Sequence, residues 1–118
     1  MMMDNAALIA RMAEQRTRWA DLPDGRRVQF RRPLETDFGK FVGGVTVEHV
    51  CEYACGWSGF TEATLLGDAV GASDAVAFAP ELWAAYVRDH SDEARSVISA
   101  IVAAISEHLE DRAEATKN

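Results

Sequence analysis

The apolar residues of this chain follow two rhythms, and each predicts a different kind of element. Toward the C-terminus Val97, Ile98, Ile101, Val102, Ile105 and Leu109 recur every three or four positions, which makes one side of a long helix apolar. Ser91 caps that helix, and Asp92 and Glu93 complement its positive N-terminal end. Leu82, Trp83, Tyr86 and Val87 form a second stripe, opened by Pro80 at a first helical position. A third begins at Thr46 and carries Val47, Val50, Cys51 and Ala54 until Gly56 stops it. Near the N-terminus Asp4 caps residues 6–16, in which Leu8, Ile9 and Met12 share a side. Shorter helical turns are expected at Phe38, Phe41 and Val42, capped by Thr36 or Asp37, and at residues 62–66 after Thr61. Gly43-Gly44 breaks the first of these, and residues 67–73 read as an acidic loop.

Residues 17–22 and 26–31 have the period-two rhythm of strands. The Asp24-Gly25 pair between them is a strong hairpin signal. A two-residue turn there sets Trp19 opposite Phe30 and Asp21 opposite Val28. Trp19, Val28 and Phe30 then face inward, with Arg27, Gln29 and Arg31 outward. So small a ribbon needs helices on its apolar face or further strands at its edge. The predicted fold is α+β and mostly α, with an N-terminal β-hairpin packed against a small bundle of about four to five helices. One domain spans 1–118: an N-terminal helix over 1–16, the hairpin over 17–32, a helical region over 33–113 and a frayed tail over 114–118.

Charge sharpens this picture. The net charge is −7, but residues 1–50 carry 8 Lys/Arg against 7 Asp/Glu, while residues 51–118 carry 4 against 12. Opposite-leaning halves suit self-association or an electropositive partner, and an acidic face also keeps a small protein in solution. Six arginines, Arg16, Arg18, Arg26, Arg27, Arg31 and Arg32, gather around the hairpin. They guard a sheet edge, meet an acidic partner, or enter a DNA groove as β-ribbons do. The overall acidity ranks DNA last, because a polyanion is repelled by it. A small DNA-binding regulator is therefore the least favoured of the non-enzymatic readings.

Candidate chemistry is sparse. There is no phosphate-binding glycine loop, no Gly-x-Ser-x-Gly elbow and no His-Glu-x-x-His. Gly56-x-Ser58-Gly59 has its second glycine one residue early and follows a segment that reads as helix. His49, beside Glu48 and Glu52, has the pKa range of a general base, but reads more simply as a solvent-facing helix residue. Cys51 and Cys55 stand one helical turn apart, too strained for a disulfide, and with His49 fall short of the four ligands of structural zinc. They read as reduced core thiols. No catalytic, cofactor-binding or metal-binding residue is predicted. The Met1-Met2-Met3 start lacks the pattern of a signal peptide, and no apolar run is long enough to span a bilayer, so a cytoplasmic protein is expected.

Two aromatic junctions remain. Gly56-Trp57-Ser58-Gly59-Phe60 ends one predicted helix, and Val76-Ala77-Phe78-Ala79-Pro80-Glu81-Leu82-Trp83 opens another, with Asp68 and Asp74 in the loop between. Together with the closing amphipathic helix over 91–113 and, more loosely, Arg32-Pro33-Leu34-Glu35 after the hairpin, this arrangement resembles the small tail-assembly chaperones of long-tailed bacteriophages. The proteins of that group are similar in role to minor tail protein G of lambda-like phages. The resemblance covers residues 17–113. It implies a non-enzymatic factor, acting in the host cytoplasm, that keeps the tape-measure protein soluble and helps recruit tail-tube subunits; the opposite-leaning charge of the two halves adds a homo-oligomer to the expected partners. A structural tail or adaptor protein retained in the virion is the alternative. Candidate partner-binding residues are Arg27 and Arg31 on the hairpin and Ile98, Ile101 and Ile105 on the last helix. Trp57, Phe60, Phe78 and Trp83 are the structural aromatic signature, expected to dock the acidic loop and the Pro80 helix onto the Thr46 helix.

Overall fold

The computed structural model describes residues 2–117 and has the expected α+β class, mostly helical, with its hairpin packed on helices. Helix α1 spans Asn5–Gln15, and Asp4 caps it by accepting from the Ala7 amide at 2.7 Å. Strands β1 (Thr17–Asp21) and β2 (Arg27–Arg31) make the hairpin. A short 3₁₀ segment, Glu35–Phe41, leads to α2 (Val47–Tyr53), and Thr46 and His49 form a capping box at its start. Strand β3 (Ala54–Ser58), α3 (Glu62–Leu66), α4 (Pro80–Val87) and α5 (Ser91–Lys117) complete the order. The last helix runs through Lys117, so the tail expected to fray from residue 114 continues it.

Two details of the sheet differ from the expectation. The hairpin connection is the three-residue segment Pro23–Gly25, closed by the Leu22 amide donating to the Arg26 carbonyl at 2.9 Å. That one extra residue shifts the register. Ala20 now faces Val28, and Trp19 faces Gln29 rather than Phe30. Because strand side chains alternate, a single-residue slip turns all of β1 over. Ala20 and Leu22 are buried in place of Trp19, which stays 39% exposed.

The second difference is β3. The helical spacing of Val47, Val50 and Cys51 stops at Tyr53, and the next five residues pair antiparallel with β2, giving the order β1-β2-β3. Gly56 pairs with Gln29 and Ala54 with Phe30, so Cys55 bulges without an opposite residue. The covered face of this sheet meets α5, and α2 and α4 close the remaining sides. The core contains Val28 and Phe30 from β2, Val50 from α2, Phe60, Trp83, Tyr86 and Val87 around α4, and Val97, Ile101 and Ala104 from α5. Burial along α5 ends at Ala104. Most of the residues beyond it are exposed, so the helix overhangs the body. Helix α1 contributes no buried residue.

Candidate functional site

The two aromatic junctions meet in one place. Gly59 turns the chain out of β3 with φ +84°, where a side chain is strained, and a Cβ there stands 3.3 Å from the Arg26 Cα. Phe60 is thereby carried under the sheet. Trp57 stacks on Phe60 at 4.2 Å and 7°, and Phe78 meets Trp57 edge-on at 5.4 Å. Phe60 in turn meets Trp83 and Tyr86 edge-on, at 6.1 and 5.5 Å. Both indole N–H groups are used: Trp57 donates to the Val76 carbonyl at 2.7 Å and Trp83 to the Val50 carbonyl at 3.3 Å. Trp57 therefore holds the segment leading into α4, and Trp83 holds α4 to α2.

The acidic loop between the junctions is stitched to the start of α3. Amides of Glu62 and Ala63, left without helical partners, donate to the carbonyls of Asp74 and Ala72 at 3.1 and 2.8 Å. Gly71 lies so close to the Glu62–Ala63 peptide that a Cβ would come within 2.5 Å of its backbone atoms, so only glycine fits.

Beside these rings sits a polar group that sequence reasoning missed. Arg26 donates to Glu93 Oε1 at 2.6 Å and to the Tyr86 hydroxyl at 3.2 Å, and Tyr86 donates to Glu93 Oε2 at 2.7 Å. Arg26 and Glu93 are both buried, and the guanidinium lies 5.2 Å from the centre of the Phe60 ring. The hydrogen bond to Glu93 raises the Arg26 pKa despite burial. Burial first, then Glu93, pushes the Tyr86 phenol up to about 12. Arg26 looks like a surface arginine in sequence because its partners lie 60 and 67 positions away.

The six hairpin arginines thus do not form one surface. Arg27 stacks over Trp19 at 4.3 Å and reaches Asp21 at 3.6 Å, covering the ring that the register turns outward. Arg18 caps the Gln15 and Thr17 carbonyls and stands 3.9 Å from Glu107. Arg16, Arg31 and Arg32 gather at the opposite end of β2, around a separate cavity.

The α5 residues predicted to bind a partner serve the core instead. Ile101 is fully buried, and Ile98 and Ile105 pack against the same cluster. Their stripe is the inner face of the helix, because the sheet and α2 cover it. Uncovered apolar side chains lie elsewhere: Leu8, Ile9 and Met12 on α1, at 46%, 66% and 60% exposure, and Val102 and Leu109 on the outer side of α5.

The residues considered for catalysis have other partners. His49 Nδ1 accepts from the Thr46 amide at 3.0 Å, and its ring faces Phe41 at 4.6 Å, so it closes a helix cap. Ser58 does end a strand, contrary to the helix expected before it, but among the described residues it has no hydrogen bond to a histidine. Cys51 and Cys55 are free and lie on different elements; burial raises both thiol pKa values. Among the described residues no group of three or more His, Cys, Asp or Glu is placed to hold a metal ion, and no helix is long and apolar enough to cross a membrane.

Compared with protein-family models, with curated proteins and with solved structures, the chain matches none.

Proposed function

We propose that this protein is a non-enzymatic assembly chaperone of a long-tailed bacteriophage, which keeps the tape-measure protein soluble in the host cytoplasm and helps recruit tail-tube subunits. The observation that carries the reading is the uncovered apolar side of α1. Leu8, Ile9 and Met12 are each about half exposed or more on a capped helix that buries nothing of its own. A folded domain with no use for that stripe in its own core offers it to another chain, and an amphipathic helix is a suitable cover for a long helical client. The net charge of −7 supports the same role by keeping a complex with an apolar client dispersed. The aromatic signature of Trp57, Phe60, Phe78 and Trp83 gives the family likeness, and their stacking makes it a matter of architecture rather than of client contact.

Co-expression with the long, helix-rich tape-measure protein of the same phage tests the proposal. The soluble fraction of that protein rises when the chaperone is present, and an unchanged fraction contradicts the proposal. Mass spectrometry of purified virions separates this role from that of a retained tail or adaptor protein. A chaperone is absent from the particle, and a stoichiometric band favours the adaptor.

A further inference from the structure

Arg16, Arg31 and Arg32 converge where α1, β2 and β3 meet. Arg16 is the C-terminal cap residue of α1, and its carbonyl accepts from the Arg32 amide at 2.8 Å, which fixes the two residues side by side. Arg31 ends β2. All three line a cavity of about 220 Å³ with Tyr53, Cys55 and Pro33. None of them forms a salt bridge among the described residues, although the chain as a whole has an excess of carboxylates. Two carboxylates, Asp37 and Glu52, also line the cavity, and both are drawn to Lys40, at 3.7 and 3.8 Å. Three guanidinium groups therefore share the cavity with two carboxylates, which Lys40 also engages from outside it.

The polar atoms here are shielded as well as uncompensated. Arg16 Nε and the Tyr53 hydroxyl are both out of contact with solvent and without a hydrogen-bond partner. An unmet buried donor is destabilising, and a buried guanidinium donor more so. Of the Arg32 donors, one goes to the Pro33 carbonyl at 2.6 Å. Burial, followed by the neighbouring charges of Arg16 and Arg18, lowers the Arg32 pKa, as like charges held together do. Burial first, then Glu52 and Asp37, raises the Tyr53 pKa, and Asp37 engages the hydroxyl without ideal hydrogen-bond geometry.

We propose that this cavity is an oxyanion site that takes a phosphate group, held by the guanidinium groups of Arg16, Arg31 and Arg32. Guanidinium forks supply the several charge-assisted donors that a phosphate accepts. The three guanidinium groups, none of them in a salt bridge among the described residues, outnumber the two carboxylates of the lining, and both of those are drawn to Lys40. An adjoining hollow of about 270 Å³ shares Arg16 and Arg32 and is bordered by Met12, Gln15, Leu34 and Glu35, whose carboxylate is turned to His108 and Arg112. That neighbour gives room for the organic part of a phosphate monoester. The inference stands on this geometry alone and is independent of the chaperone reading.

Isothermal titration of the full chain with inorganic phosphate, and separately with glycerol 3-phosphate, at constant ionic strength set by chloride, tests it. Wild-type protein binds phosphate saturably at one site. Arg16→Gln with Arg32→Gln weakens that binding by about tenfold or more, the loss of two charge-assisted bonds. Arg11→Gln, which removes an exposed arginine of α1 outside the cavity, leaves it unchanged. Should the double variant fail to fold by circular dichroism, Arg31→Gln at the exposed rim replaces it and weakens binding severalfold. Tighter binding of glycerol 3-phosphate marks a phosphate carried on a larger molecule, and tighter binding of the inorganic ion marks free phosphate. Heats that do not saturate, or an equal loss in Arg11→Gln, overturn the site.

Discussion

The aromatic wedge and helix α1 sit on one small chain and are built in opposite ways. In the wedge, Trp57, Phe60, Phe78, Trp83 and Tyr86 are stacked or edge-on to one another, both indoles are hydrogen-bonded, and the buried Arg26–Glu93 pair beside them is met by Tyr86. In α1, three large apolar side chains face solvent and no residue is buried. A ring that touches other rings contributes its stabilisation to the fold. A Leu, Ile or Met left half exposed or more keeps much of its burial free energy to be gained on contact with something else. The difference separates what holds the domain together from what it has available to offer a partner.

Substitutions that break the wedge have the largest expected effect. Trp83→Ala empties a fully buried site at the centre of the ring network, and costs about 3–5 kcal/mol by comparison with other large core truncations. Urea unfolding of the variant checks it. A midpoint unchanged from wild type shows that the rings decorate the fold instead of defining it.

Tyr86→Phe is smaller. It removes one hydroxyl and leaves Glu93 Oε2 buried without that donor, a loss of about 1–3 kcal/mol. The same phenol predicts a pH dependence. Its folded pKa of about 12 lies above the ordinary value of 10, so between those values the folded state holds a proton that the unfolded state has released. Its contribution is complete below pH 10 and is lost as pH rises toward 12. Thermal melts across that range should show a decline that Tyr86→Phe flattens, and an identical decline in both proteins assigns it to other groups.

How much of this was readable beforehand follows the reach of each interaction. Helices α1, α3 and α4 were legible because their signals are local: the caps Asp4 and Thr61, and Pro80 at a first turn. The aromatic signature was legible as a set of large rings at chain junctions. The hairpin was legible in kind, but its register hung on whether Pro23 joined the turn, and one residue there inverted β1. Strand β3 was not legible. Ala54-Cys55-Gly56-Trp57-Ser58 has little intrinsic strand preference, and it is a strand because β2 offers it an open edge. The α5 stripe was legible as apolar, but nothing within one helix tells whether such a face meets its own core or a partner, and Ile98, Ile101 and Ile105 meet the core. The Arg26–Glu93–Tyr86 group depends on two chain segments more than 60 residues apart in sequence, and no local pattern announces it.

The measurement closest to the central claim pairs stability with client solubility in one variant. Replacing Leu8, Ile9 and Met12 together by Ser leaves the core untouched, so the unfolding free energy of the body should stay within about 0.5 kcal/mol of wild type for each substitution. In co-expression with the tape-measure protein, the same variant should lose the rise in soluble client that the wild-type chain confers. A variant that unfolds readily, or one that keeps the client as soluble as wild type does, contradicts the assignment of α1 as the surface offered to a partner.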